Sequence, residues 1–475
     1  MIGYLRRLLI FGLTFAPWLN AQQQPVAFVD VTVVPMDKEQ ILVHQTVVVE
    51  GNRITQVGSS VSTKVPPRAL KIAGRGKYLM PGLADMHVHL IRSLPEPKAP
   101  PPVSGSSSHP AIIPTSASSD HEHENQALGV LFIANGVTTV RNMWGDSAID
   151  AFAKQVESGK VVGPVVYSTG PLTDGSPLTW EGSRLVETQA QAEAAVKQDK
   201  AAGYIAIKVY NGLSTDAYGW IISAARAQDL PVVGHVPDAV GLRGVITARQ
   251  DSIEHLDGFW EALQPDQDTA RNASGRQLLD RADLAKLPAL VESIRAAAIW
   301  NCPTLDLDRI LPNDLEWRGR VALVPPALVE RYRRAFSHWQ ADPELTRRAF
   351  QLQTAITRGL HQGHARLLLG TDTPKPTVLP GFSLLEELQN FVEAGLTPYE
   401  AIRAGTSDAA IFLHQDGEFG VVATGRRADL LLLEKNPLED VNNVSKRVGV
   451  MANGRWFTEQ ELQQRLMALR NGSQH

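Results

Sequence analysis

Short apolar runs alternate with helical patterns through the middle of this 475-residue chain. The runs lie near residues 79–89, 137–142, 164–169, 204–210, 231–235, 251–255, 298–304 and 366–372. This alternation is typical of a parallel sheet covered by helices. Eight such strands in a segment of this size predict an α/β fold, a TIM-type (β/α)8 barrel.

Both ends of the chain have a different pattern, in which apolar and polar residues alternate. Residues 46–50 and 54–57 flank one predicted hairpin turn, and Asn453-Gly454 forms a second between two short runs. Neither end has enough strands for a stable sheet of its own. We therefore predict a small β-sandwich domain built from both chain ends, residues 22–75 and 413–475, around a barrel at 76–412.

Residues 91–125 break the alternation, because they are rich in Pro and Ser. A long segment of this kind inside a compact domain is usually a functional lid or disordered, so we predict a loop insertion after the first barrel strand. His109, His121 and His123 fall within it. Solvated loop histidines are the simpler interpretation, and substrate contact is the alternative.

Two helix starts carry capping-box signals. Ser383 precedes Glu386, and Thr397 precedes Glu400, with proline at the first helical position of the second box. Both pairs predict the first turn of a helix.

The first 21 residues are typical of a secretory signal peptide. Arg6 and Arg7 precede an apolar run at 8–16, and Asn20-Ala21 gives a small residue at the cut. We therefore expect an exported protein, periplasmic or secreted, that leaves the membrane after cleavage, with an uncleaved anchor as the alternative.

Charge and cysteine content exclude some functions. The formal net charge is −4 and no basic stripe occurs, so nothing points to nucleic acid. Cys302 is the only cysteine, which excludes an internal disulfide. Because it lies in an apolar run, we expect a buried thiol.

The strand ends carry the candidate chemistry. His87 and His89 are two residues apart, so on a strand they point to the same side. Lys208, His235, His255 and Asp372 each lie at the end of a later strand-like run, where the active sites of such barrels are found. Histidine and aspartate are ordinary zinc ligands, whereas an ammonium group has no free lone pair. Lys208 fits only as a CO2-derived carbamate, whose two oxygens can bridge two metals.

Each of these residues alone has an ordinary explanation: a core histidine, a solvated lysine or a turn aspartate. The ordered set of six at strand ends favours a site. Glu254 alternates with His255 and is predicted to face the helices. Asp85 precedes the metal histidines and is predicted to support them rather than bind a metal.

This set resembles the amidohydrolase superfamily, the metal-dependent hydrolases related to urease and dihydroorotase. The flanking segments Pro81–Asp85 and Gly425–Leu430 also look like that family, and the resemblance covers about residues 26–458. Residues 207–210 and 252–255 resemble the branch of prolidase-like enzymes and zinc dipeptidases. Tyr210-Asn211-Gly212 departs from the small turn of that branch, which leaves the substrate open.

The resemblance implies a role for each residue. His87, His89 and Asp372 would hold the more buried of two divalent metals, and His235 and His255 the more exposed one. A carbamate on Lys208 and a water would bridge the two metals. Zinc is the expected metal, although manganese and cobalt suit the same donors. The bridging water would attack an amide carbonyl, and Asp372 would be catalytic, moving the proton to the leaving amine.

We therefore expect an exported binuclear amidohydrolase that acts on a small-molecule amide, a dipeptide or N-acyl amino acid. Alternatives are hydrolysis of a cyclic amide, ester or lactone at the same site, or a non-catalytic barrel that binds a ligand or metal. Family members often associate, and the resemblance leaves a homo-oligomer open.

Overall fold

The computed structural model describes residues 24–93, 120–265, 275–309, 342–375 and 377–471, with the short stretches 320–324, 326 and 328–330. The predicted signal peptide lies outside these residues, as does most of the predicted insertion, so both stay predictions. The insertion does not extend to residue 125, because a helix begins at Asp120 and carries His121 and His123. The Pro- and Ser-rich composition that suggested a loop ends before this helix.

The strands are numbered in chain order through the described residues. They are β1 (Val26–Val33), β2 (Leu42–Glu50), β3 (Arg53–Ser59), β4 (Leu70–Ala73), β5 (Tyr78–Pro81), β6 (Leu83–Val88), β7 (Val137–Asn142), β8 (Val165–Ser168), β9 (Thr173–Asp174), β10 (Arg184–Leu185), β11 (Ile207–Val209), β12 (Val232–Gly234), β13 (Ser252–Glu254), β14 (Trp300–Cys302), β15 (Arg366–Leu367), β16 (Leu430–Leu433), β17 (Arg447–Ala452) and β18 (Arg455–Thr458). Each of the eight apolar runs in the predicted barrel contains one of these strands.

Most of the helices lie between the parallel strands. They are α1 (Asp120–Ala134), α2 (Ser147–Glu157), α3 (Gln189–Ala202), α4 (Thr215–Ala227), α5 (Gly241–Ala248), α6 (Phe259–Ala262), α7 (Gly275–Arg281), α8 (Leu287–Ala296), α9 (Pro343–Gln362), α10 (Phe382–Glu393), α11 (Pro398–Ala404), α12 (Ser407–Phe412) and α13 (Glu459–Arg470). Within the described part of the chain, none of them has both the length and the apolar character that a membrane span requires.

The two chain ends meet in one eight-stranded sheet of order β18-β17-β16-β5-β1-β2-β3, with β4 beside β1. The pairing that joins them is antiparallel and runs from Leu430 opposite Pro81 to Leu433 opposite Tyr78. A β-rich part built from both ends is thus confirmed. The strands form a single continuous sheet rather than two separate ones, because β1 pairs with three neighbours along its length.

The apolar faces of this sheet share one core. Phe28 and Leu79 from the N-terminal part pack with Leu430 and Met451 from the C-terminal part, all fully buried. The Trp456 ring lies edge-on to Phe28 at a centroid distance of 5.3 Å. Burying a side chain of this size contributes about 1.5–3 kcal/mol, so neither chain end can be removed without exposing the core of the other.

The parallel strands fall into a three-stranded sheet, β6-β7-β8, and a seven-stranded sheet, β10-β9-β11-β12-β13-β14-β15. The described residues therefore show no closed barrel. Backbone hydrogen bonds nevertheless cross both gaps between the sheets. Ile205 N donates to Ser168 O at 2.9 Å on one side, and Met86 N donates to Leu369 O at 2.9 Å on the other.

One of the two predicted capping boxes is confirmed. Thr397 caps α11 through Glu400 N, and the Glu400 side chain accepts from Thr397 N in return. The prediction for Ser383 was wrong, since α10 begins at Phe382 after Gly381 with no side-chain cap. Ser383 lies inside the first turn, where its hydroxyl accepts from Leu379 N instead.

Candidate metal centre

All six predicted site residues lie in, or within a few residues after, parallel strands. His87 belongs to β6 and His89 follows it, and Lys208 is the central residue of β11. His235, His255 and Asp372 follow β12, β13 and β15. Because carboxyl ends of neighbouring parallel strands share one edge, this placement brings the six side chains to the same side of the sheets.

His87, His89 and Asp372 form a compact donor set. The Asp372 Oδ1 atom lies 3.1 Å from His89 Nε2 and 3.5 Å from His87 Nε2. Their potential ligand atoms all lie within 4.8 Å of one another, which is the spacing of ligands around one ion. All three side chains are buried, so this set is closed to bulk water.

His235 and His255 extend this set towards the more exposed side. The His255 ring lies 4.5 Å from the His87 ring and 5.0 Å from the His235 ring, measured between centroids. His255 Nε2 is also 3.8 Å from Asp372 Oδ2. The four histidines and Asp372 therefore form one continuous cluster.

Single polar contacts orient these two histidines. Asp257 Oδ2 lies 2.6 Å from His235 Nδ1, and Thr304 Oγ1 lies 2.8 Å from His255 Nδ1. Engaging one ring nitrogen fixes the orientation of the ring and leaves the other nitrogen for a ligand role. Sequence analysis missed both partners, although Asp257 is only two residues from His255.

Lys208 lies buried beside this cluster, and its Nζ has no hydrogen-bond partner among the described residues. Burial lowers the pKa of Lys208 to about 8, against the opposing effect of Glu254 and Asp372. An amine with this pKa is neutral far more often at physiological pH than an ordinary lysine. The neutral form is the one that reacts with CO2.

Glu254 does not face the helices, so that prediction was wrong. Its fully buried carboxylate accepts two hydrogen bonds from Arg141 Nη2, at 2.8 and 2.9 Å, and lies 2.9 Å from His87 Nδ1. Strand alternation does not extend to His255, because β13 ends at Glu254 and His255 has a φ of +59°. Within the strand, Glu254 shares a side with Ser252, which donates to it.

Asp85 supports the cluster from below, in agreement with its predicted role. Its carboxylate accepts from His87 N at 3.2 Å and from Thr371 N and Oγ1 at 3.0 and 2.7 Å. Burial raises the pKa of Asp85 to about 7. These bonds tie the strand that carries His87 to the segment that carries Asp372.

The backbone at the site is unusual in two ways. His255 and Asp372 both have φ in the left-handed region, +59° and +66°, which is uncommon for residues other than glycine. At Gly370, a Cβ would lie 2.5 Å from Cys302 Sγ and 2.8 Å from His87 N. Only glycine lets the Asp372 segment approach β6 this closely.

Lys375 is a site residue that sequence analysis missed. Its Nζ forms an ion pair with Asp372 Oδ2, three residues earlier in the chain. Burial alone would raise the pKa of Asp372, but Lys375, His255 and His87 outweigh burial and hold it well below its usual value. Asp372 is therefore a carboxylate at any physiological pH.

The donor set fits a divalent metal. His87 Nε2 and His89 Nδ1 are buried and lack hydrogen-bond partners among the described residues, and such atoms are rare unless a ligand satisfies them. Burial lowers the pKa of His87, His235 and His255 well below the usual value, so their rings are neutral and have a lone pair to donate.

A second donor group, His87 with Glu254 and Cys302, fits a metal less well. Cys302 is buried, as predicted, and burial raises the pKa of its thiol well above the usual value. A thiol that stays protonated is a poor metal ligand. Glu254 is moreover already engaged by Arg141.

Parallel strands covered by helices, with a histidine and aspartate donor set at their carboxyl ends, are typical of TIM-like barrel enzymes. The model of the amidohydrolase family matches residues 78–457, and the chain belongs to this family. It is an enzyme, a hydrolase that acts on carbon–nitrogen bonds.

Several proteins are similar to this chain over most of its length. The chain is 25% identical to ochratoxinase from Aspergillus niger over 481 aligned positions, covering 89% of this chain and 86% of that one. Its fold is similar to bottromycin amidohydrolase, with a TM-score of 0.68, 22% identity and coverage of 94% and 90% of the two chains. It is also similar to a Xaa-Pro dipeptidase with bound methionine, with a TM-score of 0.63, 20% identity and coverage of 92% and 100%. These structures imply a TIM-like barrel plus a β-rich domain.

Proposed function

We propose that this protein is an exported, binuclear metal-dependent amidohydrolase that cleaves the amide bond of a dipeptide or an N-acyl amino acid. The observation that carries the proposal is a single buried cluster that contains His87, His89 and Asp372 as a metal donor set. The similarity to a Xaa-Pro dipeptidase, to bottromycin amidohydrolase and to ochratoxinase supports an amide substrate.

The chain's own residues would divide into two ligand groups. His87, His89 and Asp372 would hold one ion, His235 and His255 the other, and a carbamate on Lys208 would lie between them. Two bound divalent ions, zinc by preference, would supply Lewis acidity and a water of lowered pKa. Asp372, kept ionised by Lys375, is in the state needed to accept a proton from water and return it to the leaving amine.

The carbamate hypothesis is supported by the surroundings of Lys208. Its neutral nitrogen would attack the carbon of CO2 and lose one proton, which converts a neutral buried amine into an anionic carbamate among neutral histidines. The low pKa of this amine favours the reacting form. Nζ makes no hydrogen bond to the described residues, so the addition of a carboxylate there would break none.

We also propose the wider organisation. The strands β6–β8 and β9–β15 would enclose one barrel at residues 76–412, with residues 22–75 and 413–475 forming the second domain. The hydrogen bonds across both gaps between the sheets support this arrangement. Residues 1–21 would direct export to the periplasm or the exterior.

The first experiment is metal analysis of the purified mature protein, paired with a hydrolysis screen of dipeptides and N-acyl amino acids. Two metals per chain with turnover of these substrates is the expected result. If two metals are found but only cyclic amides, esters or lactones are hydrolysed, the proposed substrate class is wrong and one of these classes takes its place. Less than one metal in a folded protein supplied with excess zinc would contradict the binuclear site.

Lys208→Ala tests the carbamate separately. The variant should lose bridged metal and activity, and short carboxylic acids such as propionate should restore part of both, since they can replace the missing carboxylate. The 13C-NMR signal of labelled CO2 on the wild type should be missing in the variant. Full activity without added acid would contradict the hypothesis.

A further inference from the structure

Arg92 is a buried cation on the segment that follows the strand carrying His87. It lies three residues after His89 and only 2% of its surface is exposed. Its Nε and Nη1 have no hydrogen-bond partner in the structure, and no ion pair involves its guanidinium among the described residues. An uncompensated buried charge is costly, so its retention indicates that a ligand completes it.

The backbone before Arg92 is fixed by two asparagine side chains. Asn142 Oδ1 accepts from Leu90 N at 2.9 Å. Asn125 accepts from Ile91 N at 2.8 Å and donates to Ile91 O at 2.9 Å. Arg92 is therefore held by a preformed support rather than left on a free chain.

The acid that acts electrostatically on Arg92, Asp146, is already hydrogen-bonded to other groups. Asp146 Oδ2 accepts from the backbone N and the hydroxyl of Ser93, at 2.9 and 3.2 Å. Its Oδ1 caps α2 by accepting from Ala148 N and Ile149 N. Asp146 acts on Arg92 at a distance, and burial lowers the pKa of Arg92 to about 10, which leaves it charged at neutral pH.

A wall of aromatic residues links Arg92 to the histidine cluster. The Arg92 guanidinium carbon lies 3.4 Å from the centroid of the Trp144 ring, a cation–π contact. Trp144 packs in one cluster with Trp180, whose Nε1 donates to Tyr210 OH at 3.0 Å. The Tyr210 ring in turn lies 4.1 Å from the His235 ring. The same wall thus borders the cation and a candidate metal ligand.

We propose that Arg92 is a specificity-determining residue that binds a free carboxylate of the substrate, with Trp144 supporting the guanidinium. A planar guanidinium with unused N–H groups matches a carboxylate through two parallel hydrogen bonds. The Arg92 guanidinium, which forms no ion pair with the described residues, would also neutralise the single negative charge of a substrate carboxylate. This inference rests on the proposed amide hydrolysis and names the residue that would bind the carboxylate that dipeptides and N-acyl amino acids share.

Arg92→Met tests the proposal through two substrates of one shape. N-acetyl-L-phenylalanine carries the carboxylate, and N-acetyl-2-phenylethylamine lacks it. We expect kcat/KM for the first to fall roughly 10- to 100-fold, mainly through KM, as for the loss of a charged hydrogen-bonded pair. The value for the neutral amide should stay unchanged. An equal fall for both substrates would overturn the proposal, since it would show a structural role alone.

Arg447→Met is the matched control. Arg447 is half-buried, and its Nε also lacks a hydrogen-bond partner among the described residues. Its Nη2 lies 3.5 Å from Asn135 Oδ1, just before β7, whereas Trp144 follows the other end of that strand. The control removes a similar cation from the opposite end of the sheet and should leave the substrate preference unchanged.

A binding measurement keeps the proposal separate from the amide activity. Calorimetry on the metal-loaded protein would compare 3-phenylpropanoate with its neutral analogue 3-phenylpropan-1-ol. The wild type should prefer the anion and Arg92→Met should not. Anion binding that is as tight in Arg92→Met would show recognition by the metals and overturn the proposal. If the wild type cleaves neither amide, the proposed function fails while this comparison still decides the role of Arg92.

Arg92→Lys guards against a folding defect in the methionine variant. It keeps the charge but loses the planar fork. We expect its preference for 3-phenylpropanoate to lie between those of the wild type and Arg92→Met. A wild-type preference in Arg92→Lys would contradict two-point recognition by the guanidinium.

Discussion

The two halves of the histidine cluster are held in different ways. The deep half, His87, His89 and Asp372, has side chains that are 0%, 8% and 3% exposed, whereas the outer half, His235 and His255, has side chains that are 14% and 15% exposed. In the deep half, His87 contacts the buried ion pair between Arg141 and Glu254. In the outer half, each histidine is oriented by one polar contact, from Asp257 or Thr304. The deep half is thus built as part of the core, while the outer half is more exposed to solvent.

The largest effect should come from the residue that touches both halves. Asp372→Asn keeps the shape of the side chain but removes the charge and, with it, the proposed proton-accepting role. We expect turnover to fall roughly 10²- to 10⁴-fold, the range for a lost general base, with the fold largely kept. Steady-state kinetics with a thermal melt would check this. Turnover equal to that of the wild type would show that Asp372 does not transfer the proton. It would also show that catalysis does not depend on its contacts with both halves.

The second largest effect should follow the loss of the ion pair between Arg141 and Glu254 in the deep half. Glu254→Ala leaves Arg141 buried without its carboxylate and His87 Nδ1 without its acceptor. We expect a loss of about 3–5 kcal/mol in the free energy of unfolding, as for other broken buried ion pairs. Urea denaturation of the metal-free protein measures it. A loss below 1 kcal/mol would mean that the deep half does not depend on this pair.

A double variant separates stability from metal binding at the same place. Arg141→Met with Glu254→Met removes both charges, and an apolar replacement of a buried pair is often neutral or stabilising. We expect stability close to wild type but weaker metal binding, because His87 still lacks its acceptor. Wild-type metal affinity in the double variant would show that the pair only balances charge.

The outer half should respond more weakly. Asp257→Asn removes the carboxylate beside His235, and loss of such a partner typically costs 10- to 100-fold in metal affinity. We expect this loss for one of the two metals only, measured by chelator competition. Asp238→Asn is the control, because Asp238 is three residues from His235 and contacts Asn211 instead. Equal weakening of both metals by Asp257→Asn would contradict the division into halves.

The smallest effect should follow the loss of one hydroxyl. Thr304→Ala removes the partner of His255 Nδ1, a hydrogen bond worth about 1 kcal/mol. We expect roughly fivefold weaker binding of the outer metal and no change at the deep one. The same competition assay measures this change in affinity. An effect as large as that of Asp257→Asn would show that both contacts contribute equally to metal binding.

Sequence patterns predicted the features that depend on strand position. His87 and His89 follow from alternation within one strand, and the other site residues each lie at the end of a recognisable apolar run. Glu254 was misplaced because His255 leaves the strand at a positive φ, which no local pattern announces. Lys375 and Arg92 lie on segments beyond the strand ends, where position depends on tertiary contacts. Their roles can be inferred only from the structure, which gives the ion-pair and hydrogen-bond partners of each side chain.

The pairing of β5 with β16 has a consequence for how the protein is made. β5 leads through Gly82 directly into β6, which carries His87. During synthesis, Tyr78–Pro81 leaves the ribosome long before Leu430–Leu433, its partner on that side. Until the C-terminal segment arrives, this edge is open to wrong strand pairing. A nascent or truncated chain is therefore exposed to aggregation at the strand that precedes the candidate metal centre.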